Sequence, residues 1–336
     1  MPGCAKWDLM RAELARCPAD QLEPGVIEQW AEIIRERALS PYLSPQFAEA
    51  VHEVRGDVRV VLGSRDDRLV LAWPMQQRRR LMAEPVGFGL ADAQGMAARD
   101  DLRADPTALL LASGNLTYDY DHLVDPGGNF AQSVRSAAPS PFVNVDQPFP
   151  AFQETLRLRG SSLAKRVAYL RRRLEREVGP VRVVHDTRSA VDLADLVIAK
   201  RAQYRRTGRN DALADRWRRQ LLAVLLASKS PECRGVLSVL QADGLPIAWH
   251  LGLRNEHTLH YWFPAYRPDF AAHSPGLLLL WDIVESECST TTKRIDLGTG
   301  DSDYKHRLAT GATMVFQGSL AVGGLVACGR RLLTGR

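Results

Sequence analysis

Apolar residues recur every three or four positions over Val26–Glu36 and over Ser162–Glu177, and this spacing predicts two amphipathic helices, the second with a strongly basic outer face. Further helices are predicted over Val191–Arg205, Ala214–Ser228 and Pro275–Glu287. Val58–Leu62 and Leu69–Met75 read as a strand pair joined at Asp66-Asp67, and the phrase SPYLSP ends the first helix before them. Later strands are predicted over Val181–His185, Gly235–Gln241, Pro246–Leu253, Thr258–Ala265 and Arg294–Leu297, with more than one between Met314 and Val322. Gly179-Pro180 stops the basic helix, Ala242-Asp243-Gly244 turns one strand into the next, and Tyr304–Leu308 reads as a short helix or turn. The stretch from Gly87 to Asp125 follows neither period, and no internal repeat is visible. Pro139, Pro141, Pro148 and Pro150 disfavour a continuous helix and a central strand between Ser136 and Phe152, so a lobe boundary is expected there.

The 336 residues, 45% hydrophobic and 25% charged, suit a soluble globular protein of two lobes. Charge divides them further. The net +5 splits into −6 over residues 1–150 and +11 over the remainder, so a polyanionic ligand, nucleotide cofactor or RNA, would be drawn to the second half. Five cysteines form no C-x-x-C pair and no histidine cluster accompanies them, which predicts reduced thiols, no metal and a cytoplasmic setting. The first residues mix acids and bases, unlike a secretory or transit peptide. Apolar runs such as Leu221–Ala227 and Gly276–Trp281 are far below the roughly 18 residues of a membrane span.

The phrase RIDLGTGDSDYKHR, Arg294–Arg307, has the look of a dinucleotide-binding turn. A Rossmann fold would need most of its parallel sheet and an acidic ribose ligand about 20 residues further on. Only 36 residues follow Gly300, and they are mostly strand-like or glycine-rich. The glycines therefore read as shaping a turn. The element order instead resembles the GNAT acyltransferase fold: strand, two helices, three-strand antiparallel meander, helix, parallel strand, short helix, strand pair. The phrases SLAKRVAYLRRRLER, DGLPIAWHLGL, YWFPAYRPDFAAHSPGLLLLWDIVE and RIDLGTGDSDYKHRLA resemble an acetyltransferase family associated with cellulose and other bacterial polysaccharide biosynthesis, itself related to the Fem-type aminoacyl transferases with two GNAT-like lobes. The match runs from about Pro141 to Val315, and SPYLSPQFAEAV resembles that family's N-terminal segment. The fold expected is a mixed α/β sheet in two lobes: residues 1–145 a degenerate GNAT-like lobe, 150–322 the acyltransferase lobe, and 323–336 a basic tail.

The resemblance implies a CoA thioester, acetyl-CoA or another acyl-CoA, as donor, with an acyl carrier protein or aminoacyl-tRNA as alternative carriers. The acceptor would be an amine or hydroxyl of a small or sugar-derived molecule. Nucleic acid enters only with the tRNA alternative, and a fold that has lost catalysis and only binds is the other reading. In GNAT folds the third meander strand splays from the next parallel strand and offers N–H groups to the carrier arm, which points to Tyr261, Trp262 and Phe263 and suits Pro264, which has no N–H to pair. Pyrophosphate would sit at the next helix start, His273-Ser274-Pro275-Gly276, where unpaired N–H groups and the dipole favour an anion. Only Gly276 of the usual glycine pattern is present, and Ser-Pro-Gly is also an ordinary helix start. If Asn255-Glu256 forms the turn, His250 falls opposite Tyr261 and could act as base, while His260 points to the other face; a merely hydrogen-bonded strand histidine is the alternative. Asp296 could orient a nucleophile or cap the glycine turn. Tyr304 and Lys305 close that turn, and Lys305 could meet a phosphate or substrate carboxylate, or pair with Asp301 or Asp303.

Overall fold

The structure, a computed structural model, describes residues 13–323 apart from 100, 101 and 103. The chain divides into two compact units, Met1–Ala138 with Met314–Arg336, and Pro139–Thr313. From residue 324 onward the expected basic tail lies outside the described residues, as do Cys4 and Cys328. Among the described residues, Cys17, Cys233 and Cys288 form no disulfide.

In the first unit, prolines open the helices. Strand β1 (Glu13–Pro18) leads to α1 (Pro24–Glu36), and Ser44 caps α2 (Pro45–Arg55) by accepting from Phe47 N at 3.1 Å. SPYLSP is thus a stop and a new start. Strands β2 (Val58–Arg65) and β3 (Arg68–Arg79) meet at Asp66 and Asp67, whose φ values of 50° and 58° give the tight hairpin turn that the sequence predicts. The unassigned region holds β4 (Met82–Pro85), β5 (Ala97–Ala98), α3 (Pro106–Ala112) and β6 (Thr117–Leu123). The strands β1, β2, β3 and β4 pair antiparallel, and β4 pairs β6 in parallel across α3. Trp73, Tyr118, Tyr120 and Phe130 fill the core of this unit.

Strand β7 (Val134–Asn144) runs through Pro139 and Pro141 and has a neighbour on each side, which corrects the expectation that these prolines disfavour a central strand. The residues that pair with Arg294–Asp296, Phe142–Asn144, follow the prolines, and on that side Pro141 uses its carbonyl, which accepts from Leu297 N at 2.8 Å. Helix α4 (Phe149–Leu158) then precedes α5 (Leu163–Glu177), β8 (Val181–Thr187), α6 (Ala190–Thr207), α7 (Arg216–Ala227), β9 (Arg234–Ala242), β10 (Leu245–Arg254) and β11 (Thr258–Tyr266). Helix α8 (Pro275–Glu287), β12 (Arg294–Asp296), α9 (Asp303–Leu308) and β13 (Gly311–Ala321) complete the order. A single strand, β13, occupies the segment where more than one was expected.

The strand order in the second unit is β7, β12, β11, β10, β9, β8, with β11 and β12 parallel and the other pairs antiparallel. Asp243 and Gly244, both at positive φ, make the β9–β10 turn. Helix α5 buries Leu163, Val167, Leu170 and Leu174, one apolar stripe at helical spacing, against the α8 side of the sheet. Each such side chain contributes roughly 1.5–3 kcal/mol of burial. Arg171 on α5 also reaches Asp282 on α8 at 2.5 Å.

Candidate active site

The open edge of β11 organises the site. Its parallel pairing with β12 covers Thr258, Leu259 and His260 opposite Arg294, Ile295 and Asp296, and ends there. On the other side β11 follows β10 as far as Tyr266, and Arg267 N donates to Ile247 O at 2.9 Å. In this register Phe263, Ala265 and Arg267 turn their main-chain groups toward β10, so Pro264 and Tyr266 turn theirs away, toward the side that β12 has left. Pro264 therefore stands where no ladder hydrogen bond is missed.

The meander register differs from the one expected. Asn255 N donates to Thr258 O, and Asn255 Oδ1 accepts from His257 N at 3.0 Å and Thr258 N at 2.8 Å, so the two-residue turn is Glu256-His257. Arg254 pairs with Leu259, and His250 lies opposite Pro264. A bulge between Leu251 and Leu253 sets two residues, Tyr261 and Trp262, against Gly252. That bulge returns Tyr261 to the face of His250. Their rings stack with centroids 4.1 Å apart and planes 13° apart. His250 is completely buried, and neither ring nitrogen has a hydrogen-bond partner among the described residues. Burial, reinforced by the charge of Lys200, pushes its pKa down to about 3, so the imidazole is neutral at neutral pH. His260 pairs in register with Asp296 on the other face, and burial lowers it to about 4 against the opposing pull of that carboxylate.

Trp262 and Phe263 are buried with centroids 4.7 Å apart. Beyond them a short 3-10 helix, Pro268–His273, delivers the chain to α8. Ser274 adopts a left-handed conformation, φ 49°, as the residue before the helix, and its carbonyl accepts from both Leu277 N and Leu278 N. Since Pro275 has no N–H, Gly276 carries the remaining donor of the first turn. A Cβ on Gly276 would touch only Tyr266 Cδ1, at 3.7 Å, so this start is sterically open. His273 places Nε2 3.6 Å from Glu177 Oε2 at the end of α5, a contact that pattern reading had no means to find.

The Asp296–Lys305 loop is held from inside. Asp296 Oδ1 accepts from Gly298 N at 2.9 Å and from Ser140 Oγ at 2.8 Å. Lys305 turns into the loop. Its Nζ donates to Gly298 O at 3.0 Å and Thr299 O at 2.6 Å, while Asp301 meets His306 and Asp303 meets Arg307. Tyr304 lies 6.4 Å from Tyr261, and burial raises its hydroxyl to about 12. Asp296 is thereby engaged in fixing the turn. Asp296→Ala should cost roughly 2–4 kcal/mol in urea unfolding, because two buried donors lose their acceptor. An alanine variant as stable as wild type would show that the turn holds itself.

Residues 161–306 match the family model of the acetyltransferase (GNAT) domain. No curated protein sequence matches the chain. Among solved structures the chain is similar to FemX, at 10% identity and TM-score 0.64 over 94% of this chain and 99% of that one. It is also similar to the C-terminal DUF2156 domain of an Agrobacterium fabrum protein, at 13% identity and TM-score 0.56 over 92% and 95% of the two chains. A tandem GNAT protein from the clavulanic acid biosynthesis pathway gives 11% identity and TM-score 0.51 over 93% and 99%. At these identities the likeness is one of fold. The strand order and the end of the β11–β12 pairing after His260 belong to the same pattern. The fold is that of GNAT proteins, and the stretch that matches the GNAT domain model holds β11, the Ser274–Gly276 helix start and the Asp296–Lys305 loop.

Proposed function

We propose that the second unit transfers an acyl group, acetyl in the simplest case, from a CoA thioester to an amine or hydroxyl of a small or sugar-derived acceptor. One observation carries this reading. The main-chain groups of Pro264 and Tyr266 face an unpaired strand edge, and α8, the next helix, opens at Ser274-Pro275-Gly276 with room for a phosphate to approach. The Tyr266 N–H would meet the carrier arm or the acyl carbonyl, and the Gly276 N–H would meet phosphate oxygen. Trp262 and Tyr304 would flank the arm. His250, neutral and beneath Tyr261, would support that ring. Among the described residues no group of His, Cys, Asp and Glu is gathered as a metal site, and no helix is long and apolar enough to cross a membrane. The first unit repeats an antiparallel meander, β2-β3-β4, followed by a helix and the parallel strand β6, which supports reading it as a degenerate GNAT-like lobe.

Saturating acetyl-CoA should raise the melting temperature, since ligand at 100 times its Kd adds about 2.7 kcal/mol. The absence of any shift would remove the CoA reading. Gly276→Asp should weaken acetyl-CoA binding at least roughly tenfold through repulsion at the helix start, and it should leave the melting temperature of the free protein unchanged. Equal affinity in the variant would place the carrier elsewhere.

A second reading, transfer from aminoacyl-tRNA, is favoured by the outer face of α5, where Lys165, Arg166 and Arg172 are exposed along one side. It requires RNA binding that weakens steeply with salt. No binding to tRNA at low salt would eliminate it.

A further inference from the structure

Lys200 lies on α6, is only 8% exposed, and belongs to no part of the site that the sequence motifs mark. Its Nζ donates to Pro264 O at 2.8 Å and sits 5.2 Å from the centre of the Tyr204 ring. Pro264 O is one of the main-chain groups that the register turns away from β10, past the point where β12 stops pairing. A primary amine is thus brought from a helix to the open edge of β11. Other groups near it are His250 on β10, whose pKa the Lys200 charge helps to depress, and Arg209, whose charge acts on the lysine. Among the described residues no carboxylate lies within ion-pair distance of Nζ. Burial first, and Arg209 second, lower its ammonium pKa to about 8, so a usable fraction is neutral near physiological pH.

We propose that Lys200 is the catalytic base that accepts the proton of the attacking acceptor. The role rests on the acyl-transfer reading above. The acceptor nitrogen or oxygen forms its bond to the acyl carbon, and the carbon–sulfur bond breaks with its electron pair leaving on sulfur. The acceptor's proton moves to the lone pair of neutral Nζ and passes from there to the thiolate. One thioester and one amine or alcohol become one amide or ester and one thiol, and nothing else is consumed. The hydrogen bond to Pro264 O uses one N–H of the amine and limits its lone pair to two directions. His250 is a poorer candidate, because both of its ring nitrogens are enclosed by protein.

Trace labelling of the full chain with acetic anhydride across pH, read by peptide mass spectrometry, tests the amine without an identified acceptor. Lys200 should label half-maximally near pH 8, against 10.5 for an ordinary lysine, and bound acetyl-CoA should protect it. A Lys200 that never labels, or that titrates with the surface lysines, overturns the proposal. Lys200→Arg keeps a donor for Pro264 O and cannot accept a proton at these pH values. It should therefore preserve the acetyl-CoA thermal shift while lowering acetyl transfer to hydroxylamine roughly 10²–10⁴-fold. An arginine variant as active as wild type overturns the base role alone. A wild type that acetyl-CoA does not stabilise overturns the acyl-transfer reading instead.

Discussion

Acidification is expected to strip the second unit of stability from about pH 6.5 downward, ahead of most carboxylates. His250 and His260 are fully enclosed, and their pKa values fall from 6.5 to about 3 and about 4. A group that binds its proton more weakly in the folded chain contributes stability that is complete above the unfolded value and is lost as pH falls toward the folded one. At pH 5 the loss is about 2 kcal/mol for each histidine, from 1.36 kcal/mol per pH unit. Two such losses approach the lower end of the ~5–15 kcal/mol that holds a domain together. Lys200 acts at the other end of the scale: with its pKa lowered to about 8, stability should rise as pH climbs from there to 10.5. Tryptophan fluorescence followed against pH gives the acid midpoint. His250→Phe keeps a ring on Tyr261 and removes the titrating nitrogens, so its midpoint should move to lower pH. An unchanged midpoint would show that His250 is hydrated in solution and pays no burial penalty.

Gly252→Ala should be among the most damaging single-methyl additions in the second unit. A Cβ there would lie 2.6 Å from Leu259 Cδ1, 2.8 Å from His250 Cε1 and 2.9 Å from His260 O. The leucine end can move, but the carbonyl belongs to a strand paired on both sides, and the imidazole is wedged against Tyr261. Overpacking of this kind costs about 1–3 kcal/mol, occasionally more. The urea midpoint should fall accordingly, and the His250–Tyr261 stack should be disturbed with it. Gly276→Ala is the contrast, because its Cβ meets only ordinary contact, and it should leave the midpoint where it was. Equal midpoints for the two variants would mean that the bulge yields without cost.

The sequence made the second unit's elements legible because its turn residues are strong. Asp243-Gly244 and Pro275 mark their boundaries by conformations few other residues adopt as readily. Register was less legible. Asn255 was readable as a turn residue, but its side chain caps two N–H groups and pushes the turn one position on, and the bulge opposite Gly252 then shifts the pairing again. Both are choices made by hydrogen bonding across strands, which period alone does not encode. Lys305 illustrates the same limit. Carboxylates stand near it in sequence, yet Gly298 and Gly300, at φ 70° and 110°, bend the loop so that its carbonyls meet the ammonium first. Strand β6 alternates tyrosine and aspartate, and its acids are not simply solvated: Asp119 accepts from Ser319 Oγ at 2.7 Å and Asp121 from Gln94 Nε2 at 2.6 Å. Ser140 and Lys200 carried no signal, because each matters only through a partner distant in the chain.

The first unit is written in two pieces, with Phe316–Ala321 of β13 pairing antiparallel to β6. On the ribosome β6 is therefore finished roughly 190 residues before the strand that covers its edge, an interval on the order of 10–40 s at about 5–20 residues per second. The second unit is continuous and is synthesised whole within that interval. Released chains truncated after Thr313 should accordingly carry a protease-resistant second unit and a first unit that still recruits chaperones, and extending them through Ala321 should release that dependence.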